Sequence, residues 1–410
     1  MRRLTLLPLY LAALSLLLGG CVQESVRSVN STEAIQAVEA IPEAQLLDVG
    51  VAVFDAGIPE DEESWEKLRI FPTVRKAEAR FIPLILQDTL EKTGQWGAVW
   101  VVPADSNAVD LHVSGKILYS DGETLKLDVQ AVDSTGREWL DKTYEGVASK
   151  YAYVEELELD SDPFQNIYNQ IANDLVLARQ SLDAKQLTDI RTISELRFAT
   201  EFSPEAFDRH LKVNERTGEY TINSLPAREE PMMVRMSKIR EREYMFFDTL
   251  DEYYDNFERQ MGEPYMDWRA YSYDETIALR EVKDSARRRM LLGALAVVGG
   301  LYVGSQGGSY TESVIANTAV IGGGTLAWSG FKRYGESKIH VDALRELGTS
   351  LEAEVRPVVV DIEGQTVELS GSVEAQYAEW RRLLRDIYEL ETGIEVASDS
   401  AAPGDGTEVN

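Results

Sequence analysis

The sequence predicts an α+β fold. Three patterns predict it. Short runs of period-two apolar alternation fall between residues 46 and 150, and helical period dominates 151–286. A strand hairpin followed by an amphipathic helix lies near the C-terminus. The 410 residues leave room for two or three domains. Hydrophobic residues at 44% and charged residues at 27% sit near the globular average, which argues against wholesale disorder and against a polytopic membrane protein.

Residues 46–150 read as one α/β module with an antiparallel meander. The apolar run 46–54 predicts a buried strand. Val74, Ala77, Phe81, Leu84 and Leu90 share a helical face over 74–92, Pro83 is expected to kink or end that helix, and Thr93-Gly94 to stop it. Residues 99–102 predict a second strand. Alternation over 111–119 and 125–132, joined by Asp121-Gly122, predicts a hairpin. The turn Asp133-Ser134-Thr135-Gly136 leads to a last strand over 139–147.

Residues 151–286 read as a helical region. Asp162-Pro163 predicts a helix start before Phe164, Ile167, Ile171 and Leu175, and Ser203-Pro204-Glu205 predicts another. Residues 216–227 read as a turn or short hairpin. A helix over 232–261 is expected to stop at Gly262-Glu263-Pro264, with helix resuming over 274–290. Residues 287–335 read as a Gly-rich apolar hairpin: Arg287-Arg288-Arg289, an apolar arm over 290–303, a polar Gly-rich stretch, and a second apolar arm over 313–331. Gly293, Gly299, Gly300, Gly304, Gly308 and Gly323 supply small residues whose spacing lets helix backbones approach closely. Each arm falls short of the roughly 20 residues that a full span needs. The hairpin is therefore a membrane or self-association contact, or a glycine zipper inside a soluble core. Residues 336–395 read as a helix, a strand hairpin about Glu363-Gly364, and a final helix. That helix carries Val373, Tyr377, Trp380, Leu384, Ile387 and Leu390 on the face expected to pack on the hairpin. Residues 396–410 read as a disordered tail.

The N-terminus carries the most specific motif. Met1-Arg2-Arg3, a short apolar run and Leu18-Gly19-Gly20 form a secretory leader over 1–20, too short for a spanning helix. Cys21 follows directly and is the chain's one cysteine. Leu18-Gly19-Gly20-Cys21 resembles the bacterial lipoprotein lipobox. The resemblance implies diacylglyceryl attachment at Cys21, cleavage before it, acylation of the new amine by a chain such as palmitate, and stable anchoring by more than one acyl chain. Val22 in the next position implies sorting to the outer membrane. Residues 21–45, polar in composition, read as a tether facing the periplasm; 32–40 have the composition for one short helix.

The order strand, helix, strand, meander in 46–150 resembles the periplasmic α/β domain of the curli-secretion lipoprotein family and the amino-terminal domain of the TolB family. The residues that carry it are Val49–Phe54, the 77–92 helix, Trp96–Val102 and Val109–Ile117. The resemblance implies protein–protein docking in envelope machinery without catalysis. The long alternating hairpins of a shared transmembrane barrel are not evident in the sequence, which puts a secretion pore in doubt.

Charge and motif content agree with that expectation. A net charge of −29 repels nucleic-acid phosphate, so no nucleic-acid partner is expected. With one cysteine and three dispersed histidines, His112, His210 and His340, there is little material for a soft metal site. The acidic run Glu155-Glu156, Glu158, Asp160, Asp162 lacks the glycine and closing glutamate of a calcium loop and reads as a solvated helix start. Nucleophile-elbow, Walker and zincin motifs are absent from the sequence, so no enzyme and no cofactor is expected. The sequence thus predicts an outer-membrane lipoprotein that docks or assembles envelope proteins. Its partners would be the bilayer at Cys21, envelope proteins, and a second copy of itself as an open alternative. An oligomeric secretion component is the other reading, and a carboxylate hydrolase a remote third.

Overall fold

The computed structural model describes residues 32–68, 70–104, 106–149, 151–154, 161–227, 230–304, 358–362, 365–369 and 373–394. The acidic run at 155–160, the second apolar arm at 313–331, the helix expected after 336 and the tail lie outside the described residues.

The α+β class is as the sequence predicts. Strand β1 (Val49–Ala52) is followed by helices α1 (Glu62–Leu68) and α2 (Pro72–Thr93). Strands β2 (Val99–Val102), β3 (Leu111–Ser120), β4 (Thr124–Asp133) and β5 (Glu138–Val147) complete the module. The sheet order is β2-β1-β3-β4-β5. β1 runs parallel to both β2 and β3, and the β3–β4–β5 meander is antiparallel. The segment from β2 to β3 brings Val109 across β1 at Gly50, where a Cβ would lie 2.8 Å from Val102 and 3.0 Å from Val109. Only glycine leaves that space.

Pro83 neither kinks the chain out of helix nor ends it: α2 is continuous over Pro72–Thr93 with Pro83 buried. Proline frees the carbonyl four residues back, that of Ala79. That carbonyl accepts the Phe54 backbone N–H at 2.9 Å. A tertiary bond thus replaces the missing helical one. Gly94, at φ +65°, closes the helix as expected.

Helix α3 (Gln165–Gln180) starts after Asp162, whose Oδ1 accepts the Phe164 N–H at 2.8 Å. Helix α4 (Ala184–Phe202) opens with a reciprocal cap: Asp183 accepts from the Gln186 N–H at 2.8 Å, and Gln186 accepts from the Asp183 N–H at 3.0 Å. The short helix α5 (Pro204–Phe207) precedes a small hairpin of β6 (Leu211–Val213) and β7 (Tyr220–Ile222), turned at Gly218 with φ +75°.

Two expectations fail here. The helix beginning at Pro231 does not stop at Gly262-Glu263-Pro264. It runs as one element, α6 (Pro231–Gly304), of 74 residues, or about 110 Å at 1.5 Å per residue. Tyr265, Trp268 and Arg269, directly past the proline, are buried, and their packing outweighs the local stop signal. Residues 32–40 form no helix; they lie as an extended strap, with one 3-10 turn at Glu43–Gln45.

Strands β8 (Val358–Ile362) and β9 (Gln365–Leu369) pair as an antiparallel hairpin, and helix α7 (Val373–Thr392) follows. The face of α7 is as expected at Tyr377, Trp380 and Leu384, but Leu390 is 85% exposed and Tyr388 takes its place. The face also meets α6, and Leu369 of the hairpin is buried in the same cluster. Trp380 stacks on Phe246 at 5.6 Å, and Tyr377 meets Phe246 and Phe247. One cluster of buried apolar side chains joins the sheet, α2, α3, α4, α6 and α7.

Candidate docking site

Helix α6 organises the candidate site, and buried polar contacts along its first 50 residues fix it to the module. Near its start Arg240 donates to the Ala108 carbonyl at 2.8 Å, to Ser194 Oγ at 2.8 Å and to Asp110 Oδ1 at 3.3 Å. Asp110 Oδ2 accepts the Asp48 N–H at 3.0 Å, and Asp48 Oδ1 accepts the Ala98 N–H at 3.0 Å. Burial, and then Asp110 beside it, raises the Asp48 carboxyl above its ordinary range. A cleft of about 160 Å³ opens here, lined by Asp48, Arg191, Glu195, Arg240 and Tyr244. It lies at the N-terminal ends of the parallel strands, whereas open α/β sheets bind ligands at the carboxyl ends. Its charges are paired with one another and with backbone. Among the described residues no cluster of His, Cys, Asp and Glu has a metal-holding arrangement.

One turn on, Glu243 joins α6 to α7. It accepts the Tyr377 hydroxyl at 2.7 Å and pairs with Arg381 at 3.4 Å, while Arg381 also pairs with Glu201 of α4. Burial raises the Glu243 carboxyl, and Arg381 opposes the rise. Such a pair holds while both members are present and becomes strongly unfavourable when one is removed.

The next turns cover β2, an edge of the sheet. Trp100 Nε1 donates to Asp248 at 2.9 Å. Gln87 Nε2 donates to Asp251 Oδ2 at 3.1 Å, and the Val101 N–H of β2 to Asp251 Oδ1 at 3.4 Å. Burial pushes the Asp251 carboxyl up to about 7, against the hydrogen bonds that lower it. An edge strand is a ready template for another chain. Here α6 covers it, so β2 does not serve as the docking edge.

At the far end of the module α6 passes through a collar. Tyr265 donates to Glu78 Oε1 at 2.8 Å, which also accepts Ser120 Oγ at 2.5 Å. Arg269, fully buried, pairs with Asp162 at 2.5 Å and lies over the rings of Tyr265 at 4.1 Å and Phe164 at 5.0 Å. The tip of the β3–β4 hairpin presses against the same turns. A Cβ on Gly122 would lie 1.9 Å from the Arg269 carbonyl oxygen, so only a glycine backbone fits. The Gly122 N–H donates to Ser272 Oγ at 3.2 Å, and Arg280 pairs with Glu123 at 2.6 Å. Exposed Phe71, Tyr119 and Tyr151 sit about this end, Phe71 against Trp268 and Tyr119 bonded to Asp121 of the tip.

Beyond Arg280 the α6 backbone continues through Arg287-Arg288-Arg289 to Gly304. Of the small residues singled out in the sequence, Gly293, Gly299, Gly300 and Gly304 therefore fall on this one helix; Gly308, Gly323 and Cys21 lie outside the described residues. Among the described residues no helix is long and apolar enough to cross a membrane. The collar was not foreseen from sequence. Its one legible signal was the Asp121-Gly122 turn, whose glycine serves a close approach between elements as well as a turn. No family model, curated protein or solved structure matches the chain.

Proposed function

We propose that this protein is an outer-membrane lipoprotein, anchored through acylated Cys21, that acts without catalysis as a docking or assembly factor in the cell envelope, with α6 as its docking arm. The observation that supports the reading is the continuity of α6. From Arg280, which pairs with Glu123 of the module, the helix backbone continues to Gly304, about 36 Å. An arm rooted in a packed core loses little conformational freedom when it meets a partner, and that preorganisation favours binding. The segment it carries combines three arginines with an apolar run rich in small residues. Such a composition suits a bilayer surface, where arginine snorkels to headgroups, or a close helix–helix contact.

The test is photo-crosslinking in intact cells from positions 290–304, compared with a chain lacking 290–331. The expected result is one distinct envelope protein captured by the full chain and lost on deletion. Unchanged adducts and unchanged membrane extraction after the deletion would overturn the arm. The small-residue spacing Gly300 to Gly304 on α6 favours one second reading, self-association as an oligomeric secretion component. Self-adducts alone, with detergent-resistant rings, would move the assignment there.

A further inference from the structure

The sheet ends on two unlike edges. β2, at one end, is four residues long and lies under α6. β5, at the other, is ten residues long, and among the described residues no strand pairs with its outer side. A bulge at Trp139 interrupts its start, and Leu140–Val147 then pair with β4 residue for residue. The Ala148 N–H donates to the Glu123 carbonyl at 2.7 Å, and that bond sets the alternation of the ladder. Leu140, Lys142, Tyr144 and Gly146 turn their N–H and C=O groups to β4, and Asp141, Thr143, Glu145 and Val147 turn theirs outward.

Such an edge is a template for another strand, and proteins blunt it with proline, bulges, lysines or a covering element. Leu140–Val147 contain no proline and no bulge. The one lysine of the stretch, Lys142, is drawn onto α3: its Nζ meets Asp174 at 2.7 Å and lies 5.0 Å from the centre of the Tyr144 ring. α3 itself lies on the sheet face, where a Cβ on Gly146 would be 2.7 Å from Ile167.

The side chains beside the edge say what an added strand would carry. On the face away from α3, Glu138, Asp141 and Glu145 are exposed. Gln130 of β4 donates to Glu138 at 3.4 Å, and Thr143 donates to Asp128 at 3.0 Å. Lys126, 3.5 Å from Glu145, is the one cation that β4 and β5 place on this face. On the α3 side Leu177, one turn beyond Asp174, is 54% exposed. A strand with basic residues on one face and apolar residues on the other matches both sides. A second copy of this chain does not. Added antiparallel, it would set its own Asp141 and Glu145 on the same acidic face, and each copy carries a charge of −29.

We propose that the outer edge of β5 over Leu140–Val147 is a second docking surface, which takes an extended basic segment of another protein as a sixth strand of the sheet. Backbone hydrogen bonds at Asp141, Thr143 and Glu145 supply the affinity, and the acidic face with Leu177 selects the side chains. The surface needs neither Cys21 nor α6, so it stands or falls apart from the anchor and the arm.

The test titrates the full chain with a peptide of about eight residues that alternates lysine and valine, and reads amide exchange at Asp141, Thr143 and Glu145. The peptide is expected to slow that exchange at least tenfold, and a glutamate–valine peptide of equal length to leave it unchanged. Thr143→Pro removes an outward N–H and leaves the ladder to β4 intact, as proline on an edge does. It is expected to weaken binding at least tenfold, read at Asp141 and Glu145. Combining Asp141→Lys with Glu145→Lys is expected to reverse the preference between the two peptides, so the outcome does not depend on how well the proline variant folds. Protection of the three amides before any peptide is added would overturn the proposal; where it grows with protein concentration, the occupant is a second copy, and otherwise this chain covers its own edge. Equal binding of both peptides, binding that Thr143→Pro leaves unchanged, or no binding at millimolar peptide would overturn it as well.

Discussion

The root of α6 and the strap at 32–45 are both held to the same module, but by opposite means. At the root, side chains hold side chains: Arg269 on Asp162, Arg381 on Glu243, Trp380 on Phe246. On the strap, side chains of α3 hold backbone, with Ile35 packed against the core beside them. Charged groups at the root are withdrawn from water, and breaking one pair leaves an unpaired buried charge, at about 3–5 kcal/mol. A neutral hydrogen bond at a half-exposed site nets about 1 kcal/mol. The same fold is thus expected to carry one attachment that opens with global unfolding and one that opens locally.

The sharpest break of that comparison is Arg269→Ala. It strips the partner from Asp162, which is 8% exposed, and removes the cation from the faces of Tyr265 and Phe164. Denaturant unfolding should show a loss of about 3–5 kcal/mol. Combining Arg269→Met with Asp162→Asn should recover most of it, because the uncompensated charge is then gone. If Arg269→Ala were neutral, the root would not be what holds α6.

Gly122→Ala should rank next. The new Cβ would meet the Arg269 carbonyl, so either the hairpin tip or the helix must move. About 3 kcal/mol is expected, the upper end for overpacking. Exchange at Ser272 and nearby amides should rise while the amides of β1 keep their protection.

The acidic contact on β2 gives a third, pH-dependent effect. The folded Asp251 carboxyl sits up at about 7, above its ordinary 3.8, because of burial and of Glu91 and Asp248 nearby. The folded state therefore holds this proton more tightly than the unfolded chain. Its contribution to stability is complete below about pH 4 and is lost as pH rises through about 7. Glu91 and Glu258, raised by burial and by Asp88 and other carboxylates near them, act in the same direction. Unfolding measured from pH 5 to 8 should show stability falling with pH, and Asp251→Asn should flatten that fall. An unchanged slope would mean that Asp251 stays charged under α6.

The two regions also differ in how far the sequence revealed them. The succession of strands along the chain was legible because alternation and turn residues agree over 46–150, whereas the placing of β1 between β2 and β3 was not. Helical period identified the buried face of α7 at Tyr377 and Trp380, but it does not say that this face also meets Phe246 of α6. The length of α6 was hidden by Gly262 and Pro264, whose local preference yields to Tyr265, Trp268 and Arg269. The strap was hidden for a different reason. Its hydrogen bonds to α3 go to backbone, which carries no residue signature, although Ile35 also packs on the core. Cys21, the most legible site residue, lies outside the described residues, so sequence and structure inform opposite ends of the same tether.

The smallest expected effect isolates the strap. Asn173→Ala removes the residue that both donates to Glu33 and accepts from Ile35. Alanine favours helix more than asparagine by several tenths of a kcal/mol, which offsets part of the loss. Net stability should therefore fall by about 1 kcal/mol or less, near the resolution of denaturant unfolding. Exchange at the Ile35 amide should nevertheless rise strongly, while the amides of β1 and α3 stay protected. That dissociation between a local and a global reading is what a locally opening attachment requires. If the stability loss instead approached that of Arg269→Ala, the strap would belong to the core, and the distinction between the two regions would fail.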